Sequence, residues 1–328
     1  MNKPQSDSIN ISLNQSLIDL KAHIGQFIIG QSRLIDRLVI GVVCGGHLLI
    51  EGAPGLAKTT AVRALASGLA LKFQRIQFTP DLIPGDITGS DIFVPQDGRF
   101  RFVEGPLFND IILADEINRA PPKVQSALLE AMQERQITVG GVSRPLSANF
   151  TVIATQNPIE HEGTYPLPEA QLDRFFMKIN IDYPQQDEEL AILQQSLNQH
   201  ATPEERQAVM KPEQLLALRQ QCSGIYITDM LQRYIVTLIA ATRDPSDWGD
   251  ELAESLSRGA SPRATLALAM AARAHALVSG RDFVEPGDIV ETAPEILRHR
   301  IALSFTARSQ GKQPDDVIQR ILDCIPIP

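Results

Sequence analysis

A chain of 328 residues, 43% hydrophobic and 21% charged, has the length of two domains and a globular composition, which excludes collagen-like, disordered and disulfide-scaffold classes. Thirty basic against thirty-nine acidic side chains leave a net charge of -9. General attraction to a phosphate backbone is therefore not expected, and nucleic acid is set aside as a default partner.

Met1 to Asn10 is polar and lacks a signal-peptide core, so a cytoplasmic location is expected. Leu38 to Ile50, the longest uncharged apolar stretch, is too short for a membrane span and is interrupted by Gly41, Gly45, Gly46 and His47; it reads as core. From His47 to about Asp182, short apolar runs alternate with amphipathic stretches, the pattern of a parallel sheet with crossover helices. Strands are predicted over His47 to Glu51, Phe73 to Phe78, Asp110 to Ala114, Phe150 to Thr155 and Phe175 to Ile181. Beyond Pro184 the β-branched runs fade, and helices are predicted over Asp187 to Gln199, Pro212 to Gln221, Asp229 to Thr242, Pro262 to Ser279 and Glu285 to Arg300. The expected organisation is an N-terminal arm and α/β core over residues 1–183, a linker with one helix over 184–212, and an all-α domain over 213–328. Cys44, Cys222 and Cys324 are scattered and fit reduced thiols. The six histidines, His161 and His200 among them, are equally dispersed and suggest no transition-metal site.

Gly52-Ala53-Pro54-Gly55-Leu56-Ala57-Lys58-Thr59 follows an apolar strand and precedes a helical stretch that opens at Thr60. A Gly-rich turn there crowds backbone N–H groups around phosphate oxygens, Lys58 supplies a charge to the β and γ phosphates, and the Thr59 hydroxyl reaches Mg2+. Ala57 stands where a P-loop usually has Gly, which is tolerable if its φ is helical. Ile111 to Ala114 is an apolar strand ending in Asp115 and Glu116: Asp115 is suited to the Mg2+ shell and Glu116 to activating a water for attack on the γ-phosphate. Thr151 to Thr155 ends in Gln156 and Asn157, and Asn157 could orient that water or sense the γ-phosphate. Arg174, in Leu167 to Phe175, and Arg263, in Gly259-Ala260-Ser261-Pro262-Arg263, each fit either a transition-state cation or a surface salt bridge.

These residues, with Ile76 to Gly89, Ala114 to Pro122 and Gln125 to Glu134, resemble the signatures of the MoxR-type AAA+ ATPases over nearly the whole chain. The resemblance implies a five-stranded parallel sheet of order 5-1-4-3-2 and a helical lid. It also implies that Asn157 is the first sensor, Arg174 an arginine finger and Arg263 the second sensor, acting within its own subunit or on a neighbour. Two inserted hairpins, Ile87 to Glu104 and Gln136 to Ala148, also fit. In the first, Arg99 and Arg101 should share one face and Phe100 and Phe102 the other, one face packed and one meeting a partner. The expected protein is a Mg2+-dependent ATPase forming a homo-oligomeric ring, with six subunits as the expected number. It would remodel or mature a protein client, with a von Willebrand factor A domain protein as partner. A magnesium-chelatase-like motor subunit is the alternative, and a nucleic-acid motor a weaker one.

Overall fold

The computed structural model describes residues 4–96, 98–158, 163–198 and 207–328. His161, His200, Asp97 in the first hairpin, the end of the helix expected to Gln199 and the middle of the linker lie outside them. In chain order the elements are α1 (Pro4–Gly25), α2 (Ser32–Cys44), β1 (Leu48–Gly52), α3 (Lys58–Gly68), β2 (Phe73–Gln77), α4 (Pro84–Thr88), β3 (Gly89–Val94), β4 (Arg99–Glu104) and β5 (Ile111–Asp115). There follow α5 (Pro122–Glu134), β6 (Gln136–Val139), β7 (Val142–Pro145), β8 (Thr151–Gln156), α6 (Glu169–Leu172), β9 (Met177–Ile181), α7 (Gln186–Asn198), α8 (Pro212–Gly224) and α9 (Asp229–Arg243). The chain ends with α10 (Asp250–Ser255), β10 (Leu256–Arg258), α11 (Pro262–Val278), α12 (Pro286–Leu297), β11 (Ala302–Leu303), α13 (Phe305–Ser309) and α14 (Pro314–Cys324).

The main sheet runs β2-β5-β8-β1-β9, all parallel, which is the expected 5-1-4-3-2 order of the five core strands read from the other edge. Its central strands carry continuous apolar runs, Leu48 to Ile50, Ile111 to Ala114 and Val152 to Ala154, because both faces are covered. Leu48 and Ile50 of β1, Ile111 and Leu113 of β5 and Ile153 of β8 face one core with α2, α3 and the lid helices. Leu49, Ile112, Ala114, Val152 and Ala154 face a second core with α5. Alternation along each strand thus divides one apolar run between two layers.

Helix α2 carries Leu34, Ile35, Leu38, Val39, Val42 and Val43 into the first core. It stops at Gly45, whose φ of 62° is left-handed, with Gly46 N donating to Gly41 O and Gly45 N to Val42 O. Its last carbonyls are met by arginines from distant elements, Arg135 Nη2 on Gly45 O (2.9 Å) and Arg219 Nε on Val42 O (3.0 Å). Buried Arg37 of α2 pairs with Glu291 and Glu295 of α12, fastening the lid side of the molecule to the core. The region after residue 184 is almost entirely helical, with one correction: β10 and β11 form a short antiparallel pair.

Both inserted hairpins form, β3 with β4 and β6 with β7. Register puts Arg101 opposite Ile92 and Phe100 opposite Phe93, so Arg99 and Arg101 do share a face and Phe100 and Phe102 the other. The expectation that one face simply packs needs correcting. Phe102 stacks edge-on with Phe108 and lies under the Arg144 guanidinium of the second hairpin (3.7 Å to the ring centre), whereas Phe100 touches Phe93 and stays 72% exposed.

Candidate functional site

Because the sheet is parallel, β1, β5 and β8 deliver their C-terminal tips to one edge, where a ligand crevice is expected in an open α/β sheet. From the β1 tip at Gly52 the chain turns through Ala53, Pro54, Gly55, Leu56 and Ala57 into α3, which starts at Lys58. Gly55 has φ 85° and open space beside it, so the loop is glycine-dependent at this point for conformation alone. The condition of a helical φ is not met at Ala57, which at φ 54° and ψ 19° is left-handed. That conformation brings Cβ close to the following carbonyl and costs roughly 1–2 kcal/mol, which is why glycine is the usual residue there. Lys58 Nζ spans the loop to donate to Gly52 O (2.7 Å). Burial lowers the Lys58 pKa, against the pull of Asp115, Glu116 and Glu51, which favour its charge.

Asp115 ends β5 with both carboxylate oxygens engaged. Oδ1 accepts from Thr155 Oγ1 (2.6 Å), and Oδ2 accepts from Arg75 Nε (2.9 Å) and Nη2 (2.6 Å). Glu116 is also left-handed (φ 58°, ψ 50°), and its N–H donates to Thr155 Oγ1 (2.9 Å). Thr155, 1% exposed, therefore serves both acids, donating to one and accepting from the backbone of the other. Glu116 Oε2 accepts from Gln77 Nε2 (2.8 Å) and lies 3.2 Å from Arg119 Nε. Beyond it, the buried Gln125 amide donates to the carbonyls of Ile117, Ala120 and Tyr165 and holds the turn in place.

Pro54, Gly55, Leu56, Ala57, Lys58, Thr59, Arg75, Asp115, Glu116, Thr155, Gln156 and Asn157 line one cavity of about 340 Å³. The P-loop residues, the two acids and Asn157, from three separate motifs, are thereby brought together. Gly52, Ala53 and Thr60 are adjacent in the chain but do not line it. Arg75, Gln77 and Thr155 were given no role from sequence. The one available signal is that Arg75 and Gln77 alternate with buried Ile76 on β2 and so share a face.

Arg174 and Arg263 stand elsewhere. With Met132, Gln133 and Asp173 they line a separate cleft. Arg174 Nη1 donates to Leu129 O of α5 (3.0 Å). Asp173 Oδ2 accepts from Ser261 Oγ (2.9 Å) and lies 3.9 Å from Arg263 Nη1, while Asp173 Oδ1 accepts from Arg300 Nε (2.8 Å). Arg300 Nη2 also donates to Phe175 O (2.6 Å), as His299 Nε2 does (3.0 Å), so the turn after α12 fixes the segment that carries Arg174.

The polar groups of the first cavity are the backbone N–H groups of a helix N-terminus, an ammonium, a hydroxyl and carboxylates. A helix N-terminus with a lysine suits phosphate. Hard oxygens from Thr59 and Asp115 suit Mg2+ shared with phosphate oxygens, which needs no all-protein cage.

Comparison with known proteins agrees with this architecture. Residues 47–177 match the family described as "ATPase family associated with various cellular activities (AAA)", and residues 252–321 match an AAA lid domain. The chain is 43% identical over 318 residues to Chaperone MoxR1 of Mycobacterium tuberculosis, covering 97% of this chain and 82% of that protein. It is 33% identical to Protein MoxR of Paracoccus denitrificans, covering 94% and 96%. A crystal structure of a candidate ATPase from Cytophaga hutchinsonii superposes with a TM-score of 0.92 at 42% identity, covering 99% and 98%. With its fold, its lid and relatives matched over 82% and 96% of their own length, the chain belongs to the MoxR family of AAA ATPases.

Proposed function

We propose that the chain hydrolyses ATP with Mg2+ in a homo-oligomeric ring, six subunits being the expected number, and uses the cycle to remodel or mature a protein client. The observation that carries this is the convergence of Lys58, Thr59, Asp115, Glu116 and Asn157 on one cavity at the strand tips. In this reading Lys58 and the loop amides hold the phosphates, and Thr59 and Asp115 hold the Mg2+, which when bound neutralises phosphate charge. Glu116 takes the proton of the attacking water and Asn157 positions that water. Arg174 and Arg263 do not line this cavity, which supports giving both to the nucleotide of a neighbouring subunit. A chaperone-like role is carried over from the name of the M. tuberculosis relative. A von Willebrand factor A domain partner is proposed from the resemblance, and a cytoplasmic location from the three free cysteines, which fit a reducing compartment. Among the described residues no helix is long and apolar enough to cross a membrane.

The test is nucleotide binding and phosphate release measured side by side. Wild-type protein should bind Mg-ATP and release phosphate. Glu116→Gln should bind but release phosphate at least about 10²-fold more slowly, since only the proton acceptor is lost. Lys58→Ala should bind weakly. Wild-type turnover in Glu116→Gln would remove Glu116 from its role, and unchanged binding in Lys58→Ala would remove the loop from its role.

A further inference from the structure

A cation of the protein itself already sits on the carboxylate that the proposed function assigns to the metal. Arg75 gives two hydrogen bonds to Asp115 Oδ2, and the other oxygen, Oδ1, is taken by buried Thr155. The two neighbours differ in how they approach. Thr155 comes from within the sheet, whereas the Arg75 side chain is 44% exposed and lines the same cavity as the P-loop, the side from which an ion must come. Arg75 Nη2 also donates to Gln77 Oε1 (2.8 Å), whose amide donates in turn to Glu116 Oε2 (2.8 Å). One line of hydrogen bonds thus joins the two acids through Arg75. A guanidinium and a divalent ion on one carboxylate oxygen repel each other, more strongly in a half-buried site than in water.

We propose that Arg75 and the divalent cation compete for Asp115, so that metal entry requires Arg75 to leave, and that its departure takes from Gln77 the donor that aims its amide at Glu116. Arg75 is then a positioning residue that ties release of Glu116 to arrival of the metal. The proposal rests on the nucleotide-site reading above. It differs from a purely structural ion pair fastening β2 to β5, which would leave metal affinity unchanged.

The test uses the full chain saturated with the non-hydrolysable adenylyl imidodiphosphate and titrated with Mn2+, free Mn2+ being read by electron paramagnetic resonance. Arg75→Ala should bind Mn2+ with a dissociation constant roughly two- to fivefold lower than wild type, the scale of one partly exposed ion pair. Arg75→Gln, which keeps the length without the charge, should show the same drop, and Arg75→Lys should stay near wild type. An unchanged or weaker Mn2+ affinity in variants that melt cooperatively overturns the proposal. Failure of the wild-type protein to bind the nucleotide overturns the underlying reading and this inference with it, an outcome recognised before any Arg75 variant is compared.

Discussion

Arg174 and Arg263 come from separate motifs, one at the entry to β9 and one in the first turn of α11, yet they line a single cleft together with Asp173. Asp173 orders the pair: it accepts from Ser261, which caps α11, and from Arg300, which fixes the backbone ahead of β9. No P-loop residue lines this cleft. In the proposed ring these two guanidinium groups, held on a surface that carries no nucleotide loop, would serve the nucleotide of a second copy of the chain.

Asp173→Asn should expose this arrangement. The substitution removes the charge facing Arg263 and Arg300 while preserving shape. Turnover should fall about tenfold or more with nucleotide affinity nearly unchanged, because the cations are misplaced only for the transition state. Parallel equilibrium binding and steady-state phosphate release check this, and an equal loss in both would point to general misfolding instead.

Ala57→Gly should stabilise the protein. Relief of the left-handed alanine is worth roughly 1–2 kcal/mol, and the added freedom of glycine in the unfolded chain returns roughly 0.5–1 kcal/mol of that. A net gain of about 0.5–1 kcal/mol is expected in denaturant unfolding, with nucleotide binding retained. Ala57→Val should destabilise, since β-branched residues tolerate this conformation least.

Thr155→Val keeps the volume of Thr155 and deletes its hydroxyl. Asp115 loses its donor and the Glu116 N–H loses its acceptor, a loss of about 1–3 kcal/mol for a buried polar group left unpaired. Phosphate release should drop at least about tenfold because the strained Glu116 backbone is no longer anchored. Wild-type turnover in Thr155→Val would mean that Glu116 is held by its side-chain contacts alone.

His47 should make stability depend on pH. Its Nδ1 accepts from Val152 N (2.9 Å) and its Nε2 faces Met132 O (3.1 Å), so the buried ring is the neutral Nε2–H tautomer. Burial, aided by Arg135 and Arg219 against the Met132 hydrogen bond, lowers its pKa from 6.5 to about 4. The unfolded chain therefore takes up the proton first. The His47 contribution is complete above pH 6.5 and is lost as pH falls toward about 4, a change of about 3 kcal/mol. His299, depressed by burial and then by Arg300, acts in the same direction. Chemical denaturation from pH 7 to 4 should show this decline, and His47→Gln should flatten it in part.

The sheet was legible because each core strand is a short apolar run bounded by turns or polar residues. Its observed ends coincide at Phe73 and Ile181 and elsewhere differ from expectation by one or two residues, since pairing with a sequence-distant strand decides where a ladder stops. Helices α1 and α2 were not anticipated as helices. In α2 the run Leu38-Val39-Ile40 is rich in β-branched residues, and burial against α11 and α3 overrides that local preference. At the site, Lys58, Asp115, Glu116 and Asn157 could be picked out because each closes a strand or opens a helix. Arg75, Gln77 and Thr155 could not, because their partners are set by register: Gln77 lies beside Asp115, and Ile50 beside Thr155. The left-handed φ of Ala57 could be suspected only from the glycine usual at that position, since alanine itself carries no signal for it.

The central claim, that one subunit presents both Arg174 and Arg263 to its neighbour's nucleotide, is tested most directly by mixing variants and measuring ATPase activity in rings shown to co-assemble. Each cation is taken to contribute to turnover, and an arginine finger alone is worth roughly 10³ to 10⁵. The account predicts that Arg174→Ala mixed with Arg263→Ala stays inactive, because every interface lacks one cation. It predicts that the Arg174→Ala/Arg263→Ala double variant mixed with Lys58→Ala regains activity, because an intact P-loop then faces a neighbour carrying both arginines. Recovery in the first mixture would contradict the account, for it would mean that Arg263 serves the nucleotide of its own subunit.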